Sequence, residues 1–345
     1  MRVKSHSHED IFIGLCNYSI PLEWESIGHA IKFSKDSFKV EEIINDDHIS
    51  TSGYYLYKIV KSWGINSSDI ERNLRKYSAR LLGKKDKYSI AKQYVISEKP
   101  IRRPGYMYIG RVNKDIKTNE LHIANKFDIM VRIRDSGKID EIINRLEEIR
   151  KYPILNYFGY QRFGVKRRNH IVGYRIIKSV DRLHKFKWKI HRDILRLYVN
   201  AFQSYIFNHT LNQYVYPTHN LRAVERQKDG ERNKMYFLQI GGIRVPSIPI
   251  IGYSMKKLPK YLEDIINKWG IQWGGLRRRL YELKRLGIDL FGSLRPVYIH
   301  FLEEPHVKNI HNETIEISFT ILRGQYATII LREIFRPRKP RVIGY

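Results

Sequence analysis

Asp86 stands in Gly83-Lys84-Lys85-Asp86-Lys87, a lone carboxylate among lysines. Flanking cations favour the ionised form of an acid, which makes Asp86 a candidate nucleophile or base. The same residues also read as a solvated basic turn whose aspartate only balances charge. A second run, Asn156-Tyr157-Phe158-Gly159-Tyr160-Gln161-Arg162-Phe163-Gly164, combines closely spaced aromatics with amides and a guanidinium. Such a run can stack a base on a ring while Asn, Gln or Arg bonds its edge or a phosphate. A buried aromatic turn is the competing reading. The histidines are scattered, with no His-Glu-x-x-His spacing, and neither a Walker sequence nor Gly-x-Gly-x-x-Gly occurs. The residues therefore call for no metal and no nucleotide cofactor.

These groups must be mounted on rigid elements. Phe38, Val40 and the residues to Ile44 begin with period-2 alternation, as do Tyr55, Tyr57 and Ile59, and both read as strands. Ser68-x-x-Glu71 has the form of a capping box, and Ile70, Leu74, Tyr77 and Leu81 then mark one face of a helix that Gly83 stops. Asp86 is thus expected at a helix-to-strand junction, beyond a helix C-terminus whose dipole opposes a carboxylate. Strands are expected over Gln93 to Ser97, Tyr106 to Val112, Ile123 to Arg134 and Ile315 to Leu322, and a helix over Ile139 to Ile149. Residues 188–213 predict a long helix with Leu195, Val199, Phe202 and Ile206 inward and Arg196, Asn200, Gln203 and Ser204 toward solvent. Residues 214–260 read as irregular α/β material. Leu276 to Leu286, carrying Arg277-Arg278-Arg279, reads as a basic helix with a solvated face, and the Pro-interrupted tail from Arg336 to Arg341 as extended.

The balance of charge narrows the partner. There are 63 Lys and Arg against 35 Asp and Glu, a net charge of +28 and a pI near 9.9. That excess predicts a polyanion, with nucleic acid ahead of a membrane surface or a charge-rich thermophilic composition. The 24 Tyr and 14 Phe interspersed with the cations suit stacking as well as core packing. Cys16 is the single cysteine, which excludes an internal disulfide and fits a reducing cytoplasm. The N-terminus lacks the apolar run of a signal peptide, and no stretch nears the roughly 20 apolar residues of a membrane span.

Four segments in order resemble the TruD-type tRNA pseudouridine synthase family. Its Gly-x-Lys-Asp signature with a following Gln and Ser is matched by Gly83, Lys85, Asp86, Gln93 and Ser97, and its Asn-Tyr-Phe-Gly-x-Gln-Arg-Phe-Gly without a gap at 156–164. An early Phe-x-Val-x-Glu-Ile falls on Phe38, Val40, Glu42 and Ile43 with the upstream lysine on Lys32, and a late motif on Phe319, Gly324, Tyr326, Ala327 and Thr328. The chain departs from the family at Ser89 and Ala91, where Ala and Thr are usual, and at Leu322, where Pro is usual. The change at Ala91 removes a hydroxyl near the aspartate.

The resemblance implies a uridine detached from its ribose, turned and rejoined through carbon, with Asp86 as the one essential residue and no cofactor. It implies Phe158 as a stacking platform for the flipped base. Asn156 is expected at the adjoining backbone or the uracil edge and Phe38 on the pocket wall. Lys32 and Glu42 are expected in a polar network near Asp86, and Gln161 and Arg162 in the loop. It implies an α+β fold: a catalytic core with a mixed, mainly antiparallel sheet and flanking helices over 1–170 and 310–345, and an inserted α/β domain over 171–309. The expected substrate is uridine 13 of tRNA. The rivals are another RNA position, such as U35 of a pre-tRNA, and a non-catalytic RNA-binding protein. No protein partner is implied.

Overall fold

The structure of the protein, a computed structural model, describes residues 3–183, 191–214, 236–240 and 242–345. Strand alternation in Phe38–Ile44 (β1) turns Phe38, Val40, Glu42 and Ile44 to a buried side and leaves Lys39 exposed. Five more strands follow in chain order: Tyr54–Lys61 (β2), Ala79–Leu81 (β3), Ile90–Ser97 (β4), Tyr106–Val112 (β5) and His122–Ile133 (β6). Tyr236–Ile240 (β7), Ile243–Ile250 (β8) and Ser293–Pro296 (β9) form a separate three-stranded sheet. Phe301–His311 (β10) and Thr314–Leu322 (β11) then return to the first sheet.

The large sheet runs β10-β11-β6-β1-β4-β2-β5, and its β1–β4 pair is parallel while its other pairs are antiparallel. β4 has two neighbours on one side. Its first residues pair with β1 and its last, Val95 to Ser97, with β3. The resulting fork is where the candidate site forms.

Helices cover the sheet. Ile139–Ile149 (α3) and Ala327–Phe335 (α8) bury Ile142, Leu146, Ile330 and Ile334 in one core with Val40, Phe127, Ile129 and Phe319. Each such side chain contributes roughly 1.5–3 kcal/mol. A second core joins Asn169–Lys178 (α4), Arg192–Tyr214 (α5), Lys260–Asn267 (α6) and Trp273–Arg285 (α7) through Ile177, Phe202, Ile266 and Leu280. His8–Phe12 (α1) and Ser67–Leu74 (α2) complete the helices used below.

Three expectations change. The helix predicted through Leu81 ends at Leu74; a 3-10 turn at Arg75–Tyr77 and Ser78 at φ 50° lead into β3, so the backbone reverses before the expected stop. The Ser68–Glu71 capping box does not form, because the helix already starts at Ser67 with Asn66 as N-cap; Glu71 pairs with Lys84 at 3.0 Å instead. The basic tail is folded back, not extended. Arg336 is fully buried with its guanidinium over Tyr18 and Trp24, Pro340–Ile343 is a 3-10 turn, and Tyr345 bonds His29 at 3.0 Å. The expected helix start at 188 and much of the 214–260 stretch lie outside the described residues. The described part of that stretch holds β7 and β8.

Candidate active site

Asp86 lies in the β3–β4 connection, between two strands of the sheet. The expected helix dipole is therefore absent, and local contacts decide its charge. Lys32 Nζ donates to Asp86 Oδ2 at 2.8 Å and the Tyr88 N–H to Oδ1 at 2.9 Å. Burial alone would push the Asp86 carboxyl up; the Lys32 ammonium, that N–H and the more distant Lys61 overcome it and hold the carboxyl below its ordinary range. The Lys32 ammonium also sits 5.1 Å over the Phe38 ring. Lys32, Phe38 and Asp86 are thus one cluster.

Glu42 fills the strand fork. It is 1% exposed, with Oε2 accepting the Tyr94 N–H at 2.7 Å and Oε1 accepting Lys85 Nζ at 2.6 Å. Lys85 donates again to Asn125 Oδ1 at 2.8 Å, and Asn125 lies opposite Glu42 in the β1–β6 register. Burial pushes the Glu42 carboxyl up and the Lys85 ammonium down, and their contact opposes both shifts. His122 is dropped to about 3 by burial and by the Lys85 and Arg323 charges, so it is neutral. Its Nε2 faces two acceptors, Ala124 O and Asn125 Oδ1, and so carries the proton. Lys85 therefore anchors the loop at the residue just before Asp86.

Further bonds hold the rest of the loop. Gln93 Nε2 donates to Gly83 O at 2.6 Å, and Ser67 Oγ accepts the Lys85 N–H at 3.0 Å and donates to Lys85 O at 3.2 Å. Lys61, 1% exposed, donates to Ser89 O at 2.6 Å, while Ser89 Oγ donates to Asp86 O at 2.9 Å. The hydroxyl missing at Ala91 is thus matched by one at Ser89 that braces the aspartate's own carbonyl. Leu322, where a proline would have no N–H, donates to His300 O at 3.2 Å.

The 156–164 run is held by α5. Asn208 Oδ1 accepts the Phe158 N–H at 2.8 Å, and Asn212 Oδ1 accepts the Tyr157 hydroxyl at 2.7 Å. Of the helix face expected to meet solvent, Arg196 and Asn200 are partly exposed while Gln203 and Ser204 are buried, Gln203 because it donates to the Ile251 carbonyl at 2.6 Å and Ser204 because it donates back to Asn200 O at 2.8 Å. Asn156 is fully buried, its amide donating to Pro296 O at 3.0 Å and its Oδ1 accepting Arg295 Nη2 at 2.8 Å. Phe158 is 5% exposed, with the Arg295 guanidinium 3.9 Å and that of Arg162 5.3 Å from its ring centroid. Gln161 is exposed and touches Thr328 Oγ1 at 3.4 Å.

Phe158, Arg162, Gln203, Arg295 and Arg323 line a cleft of about 710 Å³ between the two sheets. Asp86 is not on this wall. Arg323 connects the two groups, since it lines the cleft and its charge acts on Glu42, Lys85 and His122. Sequence reading missed Arg295, Arg323 and Asn125. A polar side chain at an inward strand position, as at Asn125 and Arg295, was the available signal.

The family model for tRNA pseudouridine synthase D (TruD) matches residues 14–186 and 181–334. The chain belongs to the TruD family of tRNA pseudouridine synthases. It is accordingly an isomerase. A "Probable tRNA pseudouridine synthase D" of Saccharolobus solfataricus is 27% identical, over 96% of this chain and 99% of that one. Its counterpart in Pyrobaculum aerophilum is 25% identical, over 92% and 94%. The crystal structure of a putative TruD from Methanosarcina mazei superposes with a TM-score of 0.63 at 17% identity, covering 95% of this chain and 98% of the other. The mixed, mainly antiparallel sheet with flanking helices is thus the TruD fold.

Two TruD-motif glycines have a local cause here. A Cβ on Gly83 would lie 2.7 Å from Glu42 Oε1 and 3.0 Å from Lys85 Nζ. One on Gly159 would lie 3.0 Å from both Thr328 Oγ1 and the Tyr326 ring, so the 156–164 run and the late motif pack face to face.

Proposed function

We propose that this TruD-family enzyme converts uridine 13 of tRNA to pseudouridine with Asp86 as its single essential carboxylate. The observation that carries the reading is the Lys32–Asp86 pair: an ionised, partly exposed carboxylate held by one ammonium and one N–H, beside the Phe38 ring. In the reaction the N1–C1′ bond of the nucleoside breaks, the uracil turns and its C5 bonds C1′. C5 then gives up its proton and N1 takes one, so the product is an isomer of the substrate. Asp86 starts the exchange by attack on the base or the sugar, or by drawing a proton from the ribose in a glycal-like elimination. Each route needs the ionised acid.

In this reading Phe38 and Lys32 wall the reacting centre, and Glu42, through Lys85, positions the loop. The flipped base stacks against the Phe158 ring on the side now held by Arg162, with unstacking costing roughly a few kcal/mol. Asn156 and Gln161 brace that loop. The net charge of +28 supports a tRNA partner, whose binding should weaken steeply with salt. We assign the inserted domain to 171–300, since the expected end at 309 falls inside β10, which already pairs with β11 in the large sheet from Phe301. The lone Cys16, and the lack among the described residues of a helix long and apolar enough to cross a membrane, support a cytoplasmic setting.

The test is an unmodified tRNA transcript incubated with the protein and mapped by carbodiimide-stop primer extension, with Asp86→Asn in parallel. A stop at uridine 13 that the variant loses is expected. A stop elsewhere, for example at U35 of a pre-tRNA, changes the position and keeps the chemistry. Tight binding by both proteins without any stop would leave an RNA-binding protein.

A further inference from the structure

We propose that the outer face of α7 forms a second RNA groove, continuous with the main cleft, which grips the tRNA away from its target uridine. The proposal rests on the tRNA reading above. The groove, of about 400 Å³, is lined by Tyr253, Lys256, Trp273, Arg277, Arg278 and Tyr281, with Gly274 at its edge, and no carboxylate lines it. Helical spacing creates it. Leu276, Leu280 and Leu283 are buried against the second core, which leaves Arg277, Tyr281 and Lys284 along one outward stripe.

Cations surround the rings of this stripe. Lys284 Nζ lies 4.7 Å from the Tyr253 ring centroid and 5.7 Å from that of Tyr281, and the Arg285 guanidinium 5.3 Å from Tyr281. Tyr281 remains 45% exposed. An exposed ring among guanidinium and ammonium groups offers a base a stacking surface and its phosphates counter-charges. The nearest acids are engaged within the protein: Glu282 lies 3.5 Å from Arg285, and Asp289 accepts the Tyr253 hydroxyl at 2.8 Å.

Two contacts join the groove to the cleft. Phe291 and Asp289 line the cleft, and both touch Tyr253, Phe291 edge-to-face with centroids 5.7 Å apart and Asp289 through the hydroxyl bond. Tyr253 in turn packs edge-to-face on Tyr281 at 5.9 Å. An RNA strand leaving the cleft past Phe291 therefore meets Tyr253, then Tyr281 and Arg278. A membrane surface is the weaker occupant, because the large apolar residues of α7 point inward.

Filter binding with the full chain tests this. The probes are an unmodified tRNA transcript and a short stem–loop carrying the target uridine, each measured over a range of salt concentrations. Lys256→Ala with Arg278→Ala, and separately Tyr281→Ala, are compared with wild type and with a charge-matched control, Lys99→Ala with Lys114→Ala. All the substituted side chains are exposed. The groove variants should bind tRNA about tenfold more weakly or worse. The double variant should also lower the salt slope by about 1 to 2. The stem–loop should bind every protein alike. Wild-type tRNA affinity in the groove variants, or an equal loss in the control, would overturn the groove while leaving the isomerase reading intact. A wild-type protein that neither binds nor isomerises tRNA would remove both.

Discussion

Lys32 Nζ lies 2.8 Å from Asp86 Oδ2, and Lys32 reaches it from a left-handed backbone at φ 55°. A non-glycine residue there stores roughly 1–3 kcal/mol of strain, tolerated where the surroundings over-determine it. The neighbouring Ile31 is fixed by its N–H bond to Ile343 O at 2.9 Å. A folded-back tail thus helps aim the lysine at the aspartate.

With Asp86 in the proposed role, the pair should set the acid limb of activity. The Asp86 carboxyl is held below its ordinary value of 3.8, so single-turnover activity should stay level through neutral pH and fall only once the pH drops below that value. Lys32→Met removes the largest of the groups that oppose burial and leaves the Tyr88 N–H and Lys61, so the limb should move up in pH. The pair's contribution to stability has the same sign: it is present above the unfolded pKa and lost as pH falls through the folded one. A pH–rate profile of the variant that overlays the wild type would contradict this coupling.

Removing the tail should act on the same pair. Ending the chain at Arg338 deletes the Ile343 acceptor for Ile31 and the Tyr345 hydroxyl 3.0 Å from His29. With the Tyr345 carbonyl that accepts Arg167 Nη2 at 2.9 Å also gone, lost packing and three lost hydrogen bonds predict a fall of about 2–4 kcal/mol by urea titration. Single-turnover rate should fall as well, measured where the truncated protein is still folded.

Glu42→Gln leaves the Lys85 ammonium buried without its counter-charge. Breaking a buried pair costs about 3–5 kcal/mol. Glu42→Gln with Lys85→Met should recover part of that stability in chemical denaturation without recovering activity, because Lys85 is the anchor of the Asp86 loop. Additive losses in this double-mutant cycle would argue against a coupled pair.

Gly83→Ala places a methyl 2.7 Å from Glu42 Oε1. The carboxylate or the loop must shift, at a cost of about 1–3 kcal/mol. Activity should fall by more than tenfold while tRNA affinity changes little, since the displaced element carries Asp86 and lies off the cleft wall. Equal falls in rate and affinity would place the damage elsewhere.

Arg295→Lys keeps a charge but loses the planar fork that reaches Asn156 Oδ1 at 2.8 Å and Gly324 O at 2.7 Å while lying 3.9 Å over Phe158. Stability should fall by about 1–3 kcal/mol. The catalytic constant should drop more than the Michaelis constant rises, because Arg295 positions the Phe158 loop. Steady-state kinetics with a thermal melt separates these effects.

Strand alternation from Phe38, the helix from Ile139, the helical spacing around Leu276 and the charge of +28 were all legible in the chain, because each is written in periods of two or about 3.6 residues or in a simple sum. The motif residues identified the family for the same local reason: their spacing is fixed by short loops. The partners of those residues were not legible. Glu42 and Lys85 are 43 positions apart and meet only because β4 exchanges one neighbour for another. The polar face of α5 looked solvated because periodicity separates polar from apolar and cannot say which polar face another loop's backbone will claim. Arg295 resembled any strand arginine until the fold laid it between Asn156, Phe158 and Gly324. The basic tail looked extended because charge and proline argue locally, while Tyr18, Trp24 and His29, some three hundred residues upstream, supply the surfaces that fold it back. Sequence alone thus determined most of the elements and the family whose motif holds Asp86. The tertiary structure decided how that aspartate is charged, anchored and aimed, because those are long-range contacts that no local period encodes.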